Sequence, residues 1–529
     1  MARISFIGPA GSIWPPDLFR SLLGIQQDES DPGVVRFLTA AGTETVLTGT
    51  GFQFDAAGQP ISGTIRSLTV LDGAGQALLR IEGVAVALPV LVRLAAVDGT
   101  AVLAHLLRGG DLLAGSAGAD TLWGSFGAGP GDDTLRGGAG DDLVHGDAGN
   151  DLIAGNSGLD RLDYLSSYMD GTAFQGIRLD VGTGRATDCW GGEDSLSGFE
   201  IFGDSALDDT LTGSDASETW FLGAGRDRLD AGAGKDWLDY GEALALGGQR
   251  GVLVDLAAGT ARDPFGRTDA ILGIEGVGGT ALDDDLRGGG EENQFDGRQG
   301  RDRFQGGDGF DIVGFWSVAR LGGHGVLIDR TASDGVIRDD GFGNVEQALS
   351  IEGYVLSGLA DTYRGAMGVD DVSGGEAGDL ISGGRGDDLL RGDDGGDTIR
   401  GDSGRDWIEG GTGNDDLTGG AGSDSFVFRD FGAQNVDTIH GFASGFDRIW
   451  LSITWEGMPI LGIAAEHLAS GAGLQMATTA DQRLLYDTAT GDLRYDPDGS
   501  GGLDSVLVAM LAGHEALTWQ DFALLPVFS

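Results

Sequence analysis

From Tyr363 to Phe426 a bulky apolar residue returns every nine positions: Tyr363, Val372, Ile381, Leu390, Ile399, Ile408, Leu417 and Phe426. An aspartate stands two residues ahead of each, at Asp361, Asp370, Asp379, Asp388, Asp397, Asp406, Asp415 and Asp424. The positions between are polar and rich in glycine, as in Gly383-Gly384-Arg385-Gly386-Asp387-Asp388-Leu389-Leu390-Arg391. The unit is G-G-x-G-x-D-x-U-x, with U apolar. One inward residue between two outward ones makes a minimal strand. The six residues ahead of it read as a turn, because glycine reaches backbone conformations closed to other residues. The pattern predicts three-residue strands alternating with six-residue turns.

The same pattern returns in three shorter blocks. The first carries Asp111, Asp120, Asp133, Asp142, Asp151 and Asp160, with four extra residues within Phe126–Pro130. The second has Asp209, Glu218, Asp227 and Asp236, and the third Asp284, Asn293, Asp302 and Asp311. Glu218 and Asn293 are degenerate, so weaker sites are expected there. The blocks occupy residues 108–164, 203–240, 279–314 and 358–427. Between them lie three similar segments, 165–202, 241–278 and 315–357, containing Gly176-Ile177-Arg178-Leu179-Asp180-Val181, Gly251-Val252-Leu253-Val254-Asp255-Leu256 and Gly325-Val326-Leu327-Ile328-Asp329-Arg330. Start-to-start offsets agree (209 − 133 = 76, 284 − 209 = 75, 361 − 284 = 77), so a repeat of about seventy-six residues overlies the nonapeptide one. The segments are too apolar and regular for flexible linkers and are expected to be further rungs.

Residues 1–107 follow another pattern. Alternation predicts strands at Val34–Leu38, Thr45–Phe54 and Ile65–Leu71, with hairpin turns at Asp55–Gly58 and Asp72–Gly75. Short helices are expected from Trp14 to Leu23, over Val84–Ala96 and over Thr100–Leu107. The reading is a small α+β cap on the open end of a repeat array. Residues 428–529 read as a β-rich cap, with strands at Leu484–Asp487, Gly491–Asp496 and Val506–Ala509. Asp496-Pro497-Asp498-Gly499-Ser500-Gly501 begins like a calcium-binding EF-hand loop but has Leu507 where the closing Glu belongs, so a hairpin turn is expected.

Composition sharpens the chemistry. The 529 residues include 99 Gly, and 83 Asp plus Glu against 33 Lys plus Arg give a net charge of −50. Such an acid excess opposes binding to nucleic acid and to anionic lipid. It also repels itself until counter-ions are bound. A glycine turn that aims carbonyls inward and adds a carboxylate makes an all-oxygen site, which suits the roomy coordination of Ca²⁺ better than the strict octahedron of Mg²⁺. No Cys/His cluster accompanies the motif, which argues against zinc. The metal-free repeats are expected to be disordered and to fold as Ca²⁺ binds. The single cysteine, Cys189, excludes an internal disulfide and reads as a packed residue. No stretch is long and apolar enough to span a bilayer, and Met1–Pro9 lacks a secretory signal core.

The nonapeptide array resembles the RTX (repeats-in-toxin, haemolysin-type calcium-binding) family. The resemblance implies an all-β fold, a right-handed parallel β-roll in which successive units lie on opposite sides. Ions then sit between stacked turns, shared by two aspartates, while U residues fill the core. It places Ca²⁺, on the order of fifteen ions from one shared site per pair of stacked turns, at the twenty aspartates named above. The turn glycines Gly137, Gly140, Gly146, Gly149, Gly383, Gly386, Gly392, Gly401, Gly404, Gly410 and Gly413 belong to the same sites. Asp437-Thr438-Ile439-His440-Gly441-Phe442 and Gly445-Phe446-Asp447-Arg448-Ile449 resemble the family's closing motif. The resemblance further implies export by the type I secretion machinery of a Gram-negative bacterium, using an uncleaved C-terminal signal. The destination would be extracellular or the cell surface.

Many RTX-like chains carry an enzyme ahead of the repeats. Here no H-E-x-x-H occurs, His514-Glu515 lacking the second histidine, and no Ser sits in G-x-S-x-G. Gly203-Asp204-Ser205 begins like an esterase motif but falls inside the repeat register. No phosphate loop is present, and paired carboxylates are too common to mark a glycosidase site. The expectation is a non-enzymatic rod with a structural, surface-layer or adhesive role, partnered by itself or by a cell-surface glycan. The alternative is a secreted polysaccharide- or lipid-active enzyme, or a toxin, with an unrecognised site. Trp123, Trp237 and Trp407, with Arg136, Arg391 and Arg400, fall at outward positions. They either cover their neighbours or offer a contact surface.

Overall fold

The computed structural model describes residues 3–6, 25–27, 34–38, 44–54, 60–71, 77–87, 111–124, 131–164, 172–331, 335–432, 434–453 and 463–525. Two compact units divide the chain: Met1–Arg250 with Gly259–Gly276, and Gly251–Ala258 with Val277–Ser529. Among the described residues the elements are strands, apart from two single-turn 3₁₀ helices at Ala465–His467 and Trp519–Asp521.

In the second unit the nonapeptide period becomes geometry. Strands Thr362–Arg364, Leu380–Arg385, Thr398–Gly404 and Asp416–Gly422 pair in parallel with partners eighteen residues apart, Ile381 opposite Ile399 and Ile399 opposite Leu417. Strands Asp371–Ser373, Leu389–Arg391, Trp407–Glu409 and Ser425–Phe428 form a second parallel sheet in the same register. Successive units thus alternate between two sheets, which is a parallel β-roll. Each U residue from Tyr363 to Phe426 is 0 % exposed. The cap continues both sheets: Asp437–His440 pairs with Asp416–Gly422 and with Val506–Leu511, and Arg448–Leu451 pairs with Ser425–Phe428 and with Phe522–Leu524. Leu484–Asp487, Asp492–Tyr495 and Val506–Leu511 are strands as expected. The EF-hand-like stretch is the turn of the antiparallel pair Asp492–Tyr495 and Val506–Leu511.

The first unit repeats this plan. Leu112–Ala114, Thr134–Ala139 and Leu152–Ser157 form one sheet; Thr121–Trp123, Leu143–His145 and Arg161–Asp163 form the other. Leu112 faces Thr134 at an offset of 22 rather than 18, so the four-residue insertion leaves the strands in register. The insertion itself lies outside the described residues.

The N-terminal strands form an antiparallel meander of Val34–Leu38, Glu44–Phe54, Pro60–Leu71 and Ala77–Ala87. Arg3–Phe6 pairs antiparallel with Ala77–Ala87 and parallel with Leu112–Ala114, joining the meander to the first rung. One expectation is corrected: Val84–Ala87, predicted to open a helix, finishes a strand. Apolar alternation within a hairpin there outweighed the short apolar run. The other predicted helices, over 14–23 and 100–107, the remainder of 84–96, and both hairpin turns lie outside the described residues. The described part of this cap is all β.

The inter-block segments are rungs with an excursion. In the first, Glu193–Ser197 stacks parallel on Leu152–Ser157, and Arg178–Asp180 stacks parallel on Thr210–Ser214. Arg185–Thr187 runs antiparallel between those two strands. On the opposite sheet Ile201–Gly203 passes directly from Arg161–Asp163 to Thr219–Phe221. The third segment repeats this with Leu327–Asp329, Val336–Asp339 and Glu346–Leu349.

Candidate metal centre: a ladder of buried carboxylates

Each repeat aspartate is locked by the next turn on its own side. The backbone N–H of Asp361 donates to Oδ1 of Asp379, that of Asp379 to Asp397, and that of Asp397 to Asp415, each at 2.8 Å. On the other side Asp370, Asp388 and Asp406 donate to Asp388, Asp406 and Asp424 at 2.9, 3.0 and 3.1 Å. The shorter blocks do the same: Asp111 to Asp133, Asp120 to Asp142, Asp133 to Asp151, Asp142 to Asp160, Asp209 to Asp227 and Asp284 to Asp302, all between 2.6 and 2.9 Å. Glu218 and Asn293 keep the ladder, donating to Asp236 and Asp311 at 2.8 Å.

This ladder occupies one oxygen. The other, Oδ2, is buried without a hydrogen-bond partner in Asp133, Asp142, Asp151, Asp160, Asp227, Asp236, Asp302, Asp311, Asp379, Asp388, Asp397, Asp406, Asp415 and Asp424. A buried charged oxygen without a donor is costly, and repetition of the same orphan atom asks for a common ligand. The glycines define the space around it. A Cβ built at Gly392, Gly401, Gly410 or Gly137 would stand 2.2 Å from Oδ2 of Asp397, Asp406, Asp415 or Asp142, and one at Gly383 would be 2.3 Å from that of Asp388. At the fourth position a Cβ at Gly386, Gly404, Gly413 or Gly149 would meet the carbonyl oxygen of the turn below at 1.7, 1.5, 1.4 or 1.9 Å. Gly404 also sits at φ +149, a region that side chains avoid. Gly140 crowds Gly118, and Gly146 crowds Ile153. Carbonyls and Oδ2 atoms thus converge where a side chain is excluded, an all-oxygen lining.

Some predicted ligands are placed differently. Asp209, Asp284 and Asp361, the first aspartate of each later block, have both oxygens engaged by protein donors. Ser205, Thr280 and Ser357 donate through hydroxyl and backbone N–H, and Ile177, Val252 and Val326 donate a further N–H. Asp370 is ion-paired with Arg330. Oδ2 of Asp120 accepts the Ser116 N–H at 2.5 Å.

Sequence reading missed the carboxylates that carry the ladder beyond the blocks. Asp151 donates to Asp194 at 3.0 Å, Asp160 to Glu200 at 3.0 Å, Asp227 to Asp269 at 3.0 Å, Asp236 to Glu275 at 2.8 Å and Asp311 to Glu352 at 3.0 Å. In the cap Asp415 donates to Asp437 and Asp424 to Asp447, at 3.1 and 3.0 Å. The outward tryptophans cover neighbours. Trp123 stacks on His145 at 3.7 Å, Trp407 tilts against Trp450 at 5.6 Å, and Trp237 lies over Gly276. Arg391 pairs with Asp371 at 2.8 Å, whereas Arg136 and Arg400 are exposed.

A model of the RTX calcium-binding nonapeptide repeat matches residues 107–128, 128–162, 212–242, 278–313, 364–399 and 391–426. The chain carries RTX calcium-binding nonapeptide repeats. Its matched stretches coincide with the turns that hold the orphan oxygens. Among solved structures the chain is similar to the extracellular lipase LipA from Serratia marcescens. That match has 18 % identity over 47 % of this chain and a TM-score of 0.17. It spans only 40 % of the lipase's length. No curated protein matches.

The ion of the RTX turns is Ca²⁺, and the donor set fits it: carboxylate Oδ2 and peptide carbonyls, without nitrogen or sulfur. Electrostatics point the same way. Loss of water on burial pushes Asp379 and Asp437 up to about 8, Asp406 to about 7, and Asp388 and Asp397 to about 6. In the first block Asp133 rises to about 8 and Asp151 to about 9; Asp227 and Asp302 also reach about 9. Ladder hydrogen bonds oppose the rise, and neighbouring carboxylates add to it. A divalent cation supplies the positive charge that these carboxylates lack.

Proposed function

We propose that this RTX protein is a secreted, non-enzymatic scaffold, folded by extracellular Ca²⁺ and acting at the cell surface or in the matrix through adhesion or self-assembly. The observation that carries the reading is the extension of the carboxylate ladder through Asp194, Glu200, Asp269, Glu275 and Glu352. Those residues turn the inter-block segments into rungs, so calcium-type architecture accounts for most of the chain between Asp111 and Phe522. Low cytosolic calcium leaves the carboxylates mutually repelling and the chain open for export; millimolar calcium outside closes it. The same segments among the described residues contain no helix long and apolar enough to cross a membrane. Electron microscopy of purified protein tests the role. Ordered arrays or cell-surface decoration with calcium, lost in EDTA, are expected. Turnover of lipid, protein or polysaccharide substrates that disappears on mutating a carboxylate outside the ladder would overturn the non-enzymatic reading.

A further inference from the structure

The two turn edges of the roll in the second unit carry unlike surfaces. Turns such as 365–370 and 386–388 lead from the sheet of Thr362–Arg364 and Leu380–Arg385 to the sheet of Asp371–Ser373 and Leu389–Arg391. Turns such as 374–379 lead back. Outgoing and returning turns therefore lie on opposite edges. On the outgoing edge Met367, Arg385 and Ser403 face one another on successive rungs. On the returning edge Glu376, Asp394 and Thr412 do the same. Met367, Arg385, Glu376, Asp394 and Thr412 are exposed.

The outgoing edge is cationic. A concavity of about 740 Å³ is lined there by Arg330, Arg364, Arg385 and Met367, with one acid, Asp402. Arg330 is engaged by Asp370. Arg364 is half exposed and reaches Asp329 only at 3.9 Å. Arg385 makes no ion pair among the described residues. Arg400, also exposed, stands two rungs from Arg364 in the same column. The returning edge is the reverse. It bears a groove of about 620 Å³ lined by Glu376, Asp394 and Asp430, with one cation, Arg320. Trp316 forms part of the groove and is 44 % exposed. Its ring lies over Gly314, where a Cβ would stand 2.3 Å from it. The corresponding residues of the earlier segments, Leu165 and Gly241, carry no ring. A positioned tryptophan face beside carboxylates suits a guanidinium, which is drawn to both.

We propose that a second copy of this chain seats its arginine edge in the acidic groove, so that rolls pack side by side. The proposal rests on the self-assembly reading above and names its surface. Charge complementarity argues for it: exposed arginines gather on one edge of a chain whose net charge is −50, and acids with a tryptophan gather on the other. Periodicity argues for it as well. Both edges repeat once per rung, about 4.8 Å apart, so the edges of two parallel copies match rung for rung. The edges are unlike and opposite, so each seated copy leaves its own groove open for the next. Such a heterologous contact continues from copy to copy. Both edges are built from calcium-type turns, which confines the interface to the calcium-folded chain.

Two variants of the full chain test it in calcium, with circular dichroism as the check on folding. One combines Arg364→Ala with Arg385→Ala; the other combines Glu376→Gln with Asp394→Asn. In analytical ultracentrifugation wild type is expected to associate with rising concentration and to dissociate as salt is added. Each variant alone is expected to associate at least about tenfold more weakly. Mixed in equal amounts, the two should form heterodimers, because each keeps the edge that the other has lost. Should the acidic-edge variant not fold, Trp316→Ala takes its place. Association as strong in both variants as in wild type, or a mixture without heterodimers, overturns the interface but leaves self-assembly standing. A calcium-folded wild type that stays monomeric overturns both. Binding of a sulfated polysaccharide to that monomer, lost in the arginine variant, would assign the edge to an anionic glycan instead.

Discussion

Asp151→Asn separates the two roles of a ladder carboxylate. The amide keeps an oxygen to accept the Asp133 N–H, which now reaches Oδ1 of Asp151 at 2.7 Å, and keeps the N–H that Asp151 gives to Asp194. It removes only the charge. Asp151 is 2 % exposed, and burial followed by the Asp194 and Asp133 carboxylates pushes it up to about 9 from a usual 3.8. In the unfolded chain near pH 7.5 it is ionised; in the metal-free fold it must take up a proton. One pH unit is worth about 1.36 kcal/mol, so the 3.7 units between 3.8 and pH 7.5 cost the metal-free fold about 5 kcal/mol. That is comparable with the whole stability of a domain, about 5–15 kcal/mol. The sign follows: a carboxyl whose folded pKa is raised favours folding fully below about 4, and that contribution is lost as pH rises through about 9. With EDTA, wild type is therefore expected to lack β-signal by circular dichroism near pH 7.5 and to gain it on acidification. Asp151→Asn should gain it at a higher pH. With calcium the direction reverses, because the variant lacks a ligand charge: the midpoint calcium concentration should rise about tenfold, equivalent to about 1.4 kcal/mol. Chelated wild-type protein that stays β-folded near pH 7.5, or a variant that moves both midpoints toward easier folding, would refute the reasoning.

Asp397→Ala should raise the calcium concentration needed for folding more than Asn293→Ala does, since Oδ2 of Asp397 is an orphan whereas Asn293 accepts the Gly289 N–H at 2.7 Å; equal shifts in a calcium titration would contradict this. Gly404→Ala places a Cβ 1.5 Å from the Gly386 carbonyl oxygen and is expected to destabilise the calcium-loaded protein by about 3 kcal/mol or more, as a strained core site does, read as a lowered melting temperature. Ile399→Ala, at a 0 % exposed U position, should cost about 2–5 kcal/mol in calcium-loaded urea unfolding while leaving the number of bound ions unchanged.

The nine-residue period made the β-roll legible, because turn, strand and core contact repeat in one short unit. Sites were less legible, because a motif fixes which residue occupies a turn but not how many donors surround it. Asp209, Asp284 and Asp361 satisfy the motif. Yet each follows a serine or threonine at the second position, which bonds its carboxylate. Where the second residue is glycine, as at Gly384 or Gly411, no such hydroxyl exists and Oδ2 stays open in Asp388 and Asp415. The second position therefore sorts aspartates into those closed by the protein and those left for an ion.

The inter-block segments carried a fainter version of the same signal. Asp194-Ser195-Leu196 and Glu200-Ile201-Phe202 keep the order acid, any residue, apolar residue, as do Asp269-Ala270-Ile271 with Glu275-Gly276-Val277, and Glu346-Gln347-Ala348 with Glu352-Gly353-Tyr354. The spacing between acids is six instead of nine (200 − 194, 275 − 269, 352 − 346), so a search for the full unit passes over them. The missing three residues belong to the turn. Four of these positions are glutamate, and three of them, Glu200, Glu275 and Glu352, each accept the N–H of a block's last aspartate through Oε2. The longer side chain bridges a gap that the shortened turn leaves. Replacing Glu200 by Asp should therefore open that rung, detected as faster amide exchange at Asp160 in calcium-loaded protein, whereas Asp194→Glu, on a rung already spanned by an aspartate, should disturb the ladder by crowding. Protection at Asp160 unchanged in Glu200→Asp would mean that the chain, not the side-chain length, sets the rung spacing.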